Sequence, residues 1–321
     1  MTRLLVINGD DFGLTPGVNA GMLDAHREGV LTSVSLFANA PSTTQAIAMA
    51  HATPSLGVGC HLTLVDGTPT LPATDVPSLV TPDGQFRQTW GAFIRAGLLG
   101  RIDLDDVRRE LTAQIERLQT AGITLTHLDS HKHVHTWPPI FRIVADLATT
   151  YRIPAVRVPY ESPWMGPVPA DLRDAGIKRQ AIENLGMRWW TWRDARVLAR
   201  HRRLAPAFFG RVHTGRVDRE VLPKILERLP EGVSELMMHP GYQDKALSRV
   251  RTRLRREREA EVSLLRSPDT RLAIHEAGVA LVRHDLQPVD SSFVSFIAPR
   301  KDSYGQPSAP ARPAVRGDSR L

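Results

Sequence analysis

Leu4-Leu5-Val6-Ile7-Asn8-Gly9-Asp10-Asp11-Phe12-Gly13 opens the chain as a strand that ends in two adjacent carboxylates. The apolar run has the length and branching of a strand buried on both faces. Pro16 and a helical pattern near Gly17–Glu28 follow, so the segment reads as the first βα unit. In α/β proteins ligands gather outside the carboxyl ends of strands. Two neighbouring acids there repel each other unless something positive lies beside them, and a metal ion is the simplest candidate. The bland alternative is a helix N-cap and a first-turn acid.

Outward from this unit the pattern repeats. Ser33–Phe37 reads as a strand, Thr43–His51 as a helix and Leu56–Leu62 as a third strand. Residues 65–100, rich in Gly and Pro, read as a long loop or lid. Then come a strongly amphipathic helix at Asp105–Thr120, a strand at Thr124–Asp129, a helix at Ile140–Thr150 and a strand at Ala155–Val158. Residues 160–215 are irregular, with at least two helical pieces and four tryptophans, Trp164, Trp189, Trp190 and Trp192. These could form a sugar-stacking wall or a satellite core. Order returns with a helix at Arg219–Arg228, a strand at Ser234–Met238, a helix at Thr270–Glu276 and a strand at Val279–Val282. Repeated βα units imply a mainly parallel sheet, covered on both faces or closed into a barrel. The first 300 residues read as one domain with loop insertions. Residues 301–321 have the composition of a disordered tail.

At 321 residues the chain can bury a large core. No apolar stretch approaches the roughly 18–20 residues that cross a bilayer. The strand pattern starts without a basic-then-apolar leader, and Cys60 is the single cysteine, so a cytoplasmic protein is expected. The net charge is +7, with Arg249, Arg251, Arg253, Arg255, Arg256 and Arg258 crowded into one segment. Such a patch could meet nucleic acid or an anionic membrane. Glu257, Glu259 and Glu261 instead allow a solvated helix, and the run holds no aromatic residue on which bases could stack.

Histidines mark the other strand ends. His61 ends the third strand, and Thr126-His127-Leu128-Asp129-Ser130-His131-Lys132-His133-Val134-His135 ends the next. In an extended chain His127, Asp129 and His131 share one side. One carboxylate and two imidazoles suit a divalent metal with open positions. Met238-His239-Pro240-Gly241-Tyr242 brings a further histidine to the same rim, and an ordinary imidazole suits a general acid near neutral pH. Arg157 interrupts an apolar strand, and a buried arginine needs a partner: Asp10, a substrate or a structural ion pair. His213 carries no assignable role.

Asn-Gly-Asp-Asp-Phe-Gly at 8–13, Gly-Cys-His-Leu-Thr-Leu at 59–64, His-Leu-Asp-Ser-His-Lys-His-Val-His at 127–135 and Met-His-Pro-Gly-Tyr at 238–242 together resemble the YdjC/ChbG-like carbohydrate deacetylases. The likeness spans roughly residues 3–285. His26-Arg-Glu-Gly-Val-Leu-Thr-Ser and Phe208–Gly215 are most similar to the branch associated with hopanoid biosynthesis. The resemblance implies a distorted, TIM-like (β/α) barrel that removes acetyl groups from N-acetylated amino sugars with a divalent metal: zinc, magnesium, manganese or cobalt. It implies Asp11, His61 and His131 as ligands, Asp10 as general base and His239 as general acid. Arg157, His133, His135 and Tyr242 are the expected substrate contacts. Lys132 stands where the family often has His, and Gly9 where Ala is common. An amino sugar, free or lipid-linked, is the implied partner. Nucleic acid is not expected, while a membrane surface or a second copy of the chain stays open. Two rival readings remain: a non-haem Fe(II) oxygenase with an Asp/His/His triad, and a basic nucleic-acid or anionic-membrane binder.

Overall fold

The first strand, β1 (Arg3–Phe12), leads into α1 (Pro16–Arg27), which begins where the Thr15 hydroxyl accepts the Val18 N–H. β2 (Ser33–Leu36), α2 (Thr43–His51), β3 (Gly57–Leu62), α3 (Trp90–Leu98) and α4 (Leu104–Thr120) follow. β4 (Leu125–Ser130) runs into a 3₁₀ turn at His131–Thr136, then come α5 (Pro138–Thr150), β5 (Ala155–Val156) and α6 (Ala175–His201). The chain continues through β6 (Ala207–Phe209), α7 (Val221–Glu227), β7 (Gly232–Met238), α8 (Arg256–Arg266), α9 (Pro268–Glu276) and β8 (Val279–Leu281). This computed structural model describes residues 2–162, 173–201 and 203–289. The residues up to Val289 form one compact unit. The expected tail at 301–321, the domain limit at residue 300 and Trp164 lie outside the described residues, as do the side chains of Trp189 and Trp192.

Every strand pairing in the sheet is parallel, in the order β5-β4-β3-β2-β1-β7-β6. A parallel bridge between Ala155 and Leu204 joins β5 to the approach of β6, with Val156 N donating to Leu204 O at 3.0 Å. That bridge closes the sheet into a distorted barrel, as expected. β8 pairs with the first residues of β1, while β2 pairs with its last.

Alternation along the strands sorts two environments. Leu5, Ile7, Val34, Leu36, Val58, Cys60, Leu62, Leu128 and Leu236 are buried on the helix-facing side. Many inward positions are polar or small: Asn8, Ser33, Ser35, Gly57, Gly59, His61, His127, Asp129, Arg157 and Glu235. Large inward side chains sit opposite small ones. A Cβ at Gly59 would come within 2.3 Å of the His127 ring. The helices supply amphipathic covers. In α4, Val107, Leu111, Ile115 and Leu118 are buried at helical spacing.

Two expectations are corrected here. Residues 65–100 are more than loop, because they contain α3, capped by the Thr89 hydroxyl at Ala92 N. Val76, Leu79 and Phe86 pin this segment to the core. The arginine run is not simply a solvated face, because Arg258 and Glu261 of α8 are buried. Among the described residues, no helix is long and apolar enough to cross a membrane.

Candidate active site

Adjacent strand residues normally point to opposite faces, so Asp10 and Asp11 should not share a site. The register between β1 and β2 shifts between Gly9 and Phe12, which places an extra residue in β1. Asp11 takes φ of +78°, a left-handed conformation that a non-glycine residue adopts only under constraint. This bulge turns both carboxylates into the barrel mouth.

Asp11 meets two imidazoles. Its Oδ1 lies 3.5 Å from His61 Nε2 and 3.3 Å from His131 Nδ1, and its Oδ2 lies 2.5 Å from Arg258 Nη2. Burial alone would raise the Asp11 carboxyl, but Arg258 and the imidazoles hold it well below the usual range. His61 pairs in register with Asp129 on the neighbouring strand, and its Nδ1 lies 2.9 Å from Asp129 Oδ1. Burial works against a charge on His61. The carboxylates of Asp129, Asp11 and Asp10 outweigh it and lift the imidazole to about 10. Phe37 packs edge-on against both rings, with centroids at 4.7 and 5.3 Å, and limits their rotation.

His127, Asp129 and His131 all face the barrel interior, but at different depths. β4 ends at Ser130, and the chain turns through Lys132 and His133, both at φ of +54°. His127, four residues earlier in the strand and about 13 Å lower at the usual rise, does not join the cluster around Asp11. Its ring lies deeper, near Ser35 Oγ at 3.1 Å and stacked on His284. Asp129 is a support for His61 and not a third ligand beside His127 and His131.

The donor set fits a divalent cation. One oxygen and two imidazole nitrogens lie within 4.8 Å of one another. Asp129 fixes the ring of His61 so that Nε2 faces the cluster, as outer carboxylates do for metal-binding histidines. Asp10, His61 and Asp129 form a second close group. It suits a cation less well, because both of its carboxylates already serve Arg157.

Arg157 answers the requirement for a partner. Its Nη1 and Nη2 donate to Asp10 Oδ2 and Oδ1 at 2.6 and 2.7 Å, and Nη1 lies 2.6 Å from Asp129 Oδ2. Asp10 also accepts from Asn8 Nδ2 at 2.9 Å. Burial raises the Asp10 carboxyl against the pull of Arg157. His239 follows β7, the strand next to β1, and its backbone N–H donates to Glu261 at 2.5 Å. Loss of hydration, reinforced by Arg258, pushes its imidazole down to about 3, so it does not keep the ordinary value expected from sequence.

Asp10, Asp11, His61, His131 and His239 line the floor of a cavity of about 910 Å³. Lys132, Asp66, Trp90, Arg179, Glu183 and Arg251 stand around its rim. Trp90 meets Trp190 of α6 at a centroid distance of 6.4 Å. His133 lines the cavity; Arg157, His135 and Tyr242 do not. Arg157 is fully buried and paired with Asp10. His135 is buried between Ser130 and the Arg157 carbonyl, and the Tyr242 hydroxyl donates to Asp24.

Sequence reading overlooked Arg258, Glu235, Phe37 and His284. Arg258 had a signal: it shares a helical face with the buried Glu261, Val262 and Leu265. Glu235 had the same signal as Arg157, a charge inside an apolar strand. Phe37 and His284 had none.

The chain matches the family model described as YdjC-like protein over residues 4–276. It belongs to the YdjC-like family. It is 34% identical over 279 residues to a carbohydrate deacetylase of Brevibacillus brevis, covering 87% of this chain and 97% of that protein. A carbohydrate deacetylase of Geobacillus stearothermophilus is 32% identical over 285 residues, covering 88% and 98%. A crystal structure from Enterococcus faecalis, described as a candidate cellobiose-phosphate cleavage protein, superposes with a TM-score of 0.72. It is 28% identical and covers 89% of this chain and 98% of that one.

Proposed function

We propose that this protein hydrolyses the N-acetyl group of an amino sugar with the help of a divalent cation held by Asp11, His61 and His131. The observation that carries this reading is the meeting of Asp11 Oδ1 with two imidazoles at 3.3 and 3.5 Å on the floor of the large cavity. The YdjC-like relatives named as carbohydrate deacetylases support it.

A divalent cation at these residues would acidify a water and polarise the acetyl carbonyl. Asp10 takes the water proton as attack on that carbonyl begins. Its raised proton affinity suits a general base, and Arg157 fixes both of its oxygens. His239 delivers a proton to the departing nitrogen, since an amine leaves poorly as an anion. At about 3 the imidazole is uncharged near neutral pH, so it serves as this acid only after taking up a proton from solvent during the cycle. Exchange with solvent then resets Asp10 and His239. Acetate and a free amino sugar leave.

The rim suits a sugar that carries further groups. Trp90 offers an apolar face, and His133, Lys132 and Asp66 offer polar contacts. The substrate is a chitooligosaccharide or an N-acetylglucosaminyl lipid of the hopanoid type, the second requiring contact with a membrane surface. A mass-spectrometric screen for a 42-dalton loss (an acetyl group exchanged for hydrogen) over both classes, with and without chelator, tests the reading. Loss abolished by chelator supports it; no loss with any substrate and any of zinc, magnesium, manganese and cobalt ends it.

The oxygenase reading loses ground because its usual ligands lie close together on antiparallel sheets, whereas these ligands come from the ends of three separate parallel strands, β1, β3 and β4.

A further inference from the structure

Behind the floor of the cavity the barrel interior holds a closed ring of polar contacts. Asn8 Nδ2 donates to Asp10 Oδ1 at 2.9 Å and to Ser35 Oγ at 2.7 Å. Ser35 Oγ donates to Asp129 Oδ2 at 2.8 Å and lies 3.1 Å from His127 Nε2. Since the hydroxyl proton is committed to Asp129, His127 is the donor of its own contact, and Thr126 Oγ1 at 3.0 Å satisfies its Nδ1. The His127 ring stacks on His284 with centroids 3.7 Å apart. His284 Nε2 lies 3.3 Å from Glu235 Oε2. Glu235 Oε1 accepts from Arg157 Nε and Nη2 at 2.8 and 2.6 Å. Arg157 closes the ring on Asp10.

The guanidinium is thus gripped on two edges, by Glu235 on one and Asp10 on the other. It faces three buried carboxylates, Asp10, Asp129 and Glu235. Its orientation is set by how firmly each is held. Asp129 is fixed by Ser35 and His61, but among the described residues neither Glu235 Oε2 nor either ring nitrogen of His284 makes a hydrogen bond, and the 3.3 Å approach of Nε2 to Oε2 is the contact that can hold this edge of Glu235.

His284 comes from the far end of the molecule. Val282 N donates to Leu5 O at 3.0 Å, extending the pairing of β8 along β1. The chain then turns back, with Val282 bridging Pro288 and Arg283 donating to Pro54 O at 3.0 Å. This turn plugs the end of the barrel opposite the cavity and drives one imidazole, 1% exposed, into its interior. An imidazole is a costly way to fill a core unless its nitrogens are used.

We propose that His284 is a positioning residue: it holds Glu235, which squares Arg157 against Asp10, so the plug after β8 sets the geometry of the general base. The proposal rests on the deacetylase reading for its kinetic consequence, while its structural consequence is independent of that reading.

The test uses the full chain with His284→Leu, His284→Gln and His284→Asn. Glutamine can place an amide N–H near the position of Nε2; asparagine is too short. With N,N′-diacetylchitobiose, kcat of His284→Leu falls about tenfold or more at unchanged KM, and His284→Gln recovers most of it. In parallel, ¹⁵N NMR follows rotation of the Arg157 guanidinium about Nε–Cζ, which is slow when both edges are held. Rotation quickens in His284→Leu and slows again in His284→Gln. If the leucine variant does not fold, glutamine and asparagine decide: slow rotation with the first and fast with the second supports the proposal. Equal guanidinium rotation in all folded variants overturns it, as does a kcat loss that glutamine shares with leucine. If the unaltered protein fails to deacetylate any sugar, the functional reading falls and the NMR comparison still decides this one.

Discussion

Asp129 Oδ1 lies 2.9 Å from His61 Nδ1 because the two residues face each other in the register of adjacent parallel strands. The pairing leaves His61 Nε2 directed at Asp11. Replacing Asp129 by Asn keeps the shape and removes the charge that holds the ring. Affinity for zinc or cobalt, measured by calorimetric titration, is expected to fall about 10- to 100-fold. Undiminished affinity would show that Phe37 alone orients the ring.

Under the proposed function the two adjacent acids have separable tasks. Asp10→Asn should lower kcat by about 10² or more while KM and bound metal stay near their original values. His131→Ala should instead release the metal, as elemental analysis of the dialysed protein would report. A variant of Asp10 that loses the metal as well would contradict the division of labour.

Gly59 is needed for space. A methyl group there would meet the His127 ring at 2.3 to 2.4 Å, with the ring boxed in by His284. Gly59→Ala should cost about 1–3 kcal/mol of stability, the usual penalty of overpacking a filled interior. Denaturant unfolding reads this directly, and a midpoint equal to that of the parent would mean the ring has somewhere to go.

Glu161, which does not line the cavity, gives stability a pH dependence. Its carboxylate is buried and accepts the Val212 N–H at 3.0 Å, and burial pushes its carboxyl up to about 7. The folded protein therefore binds this proton more tightly than the unfolded chain does. The associated stability is complete below the unfolded value near 4.5 and is lost as pH rises through about 7. Its size is on the order of 3 kcal/mol for a shift of this extent. Melting temperatures of the parent and Glu161→Gln, compared from pH 5 to pH 8, should converge upon an advantage for the glutamine variant at the alkaline end. Parallel curves would remove Glu161 as the cause.

Much of the barrel was legible along the chain because parallel strands buried on both faces appear as short apolar runs, and helices such as α4 show their spacing. Arg157 was legible as a buried charge in want of a partner. Its sharing among Asp10, Asp129 and Glu235 was not, since those three lie on other strands. α3 was hidden by the Gly- and Pro-rich segment before it. Arg258 was hidden among surface arginines, although helical spacing would have separated it from them.

The order of residues alone settled the alternation of strand and helix, the strand ends at which acids and histidines fall, and the chemistry those side chains can perform. Folding settled which of them meet. A one-residue bulge at Asp11 brings both acids to one face, the length of β4 leaves His127 deep in the barrel while His131 stands at the mouth, and strand register pairs His61 with Asp129. These depend on contacts between residues tens of positions apart, whose energies have no trace in local composition or periodicity.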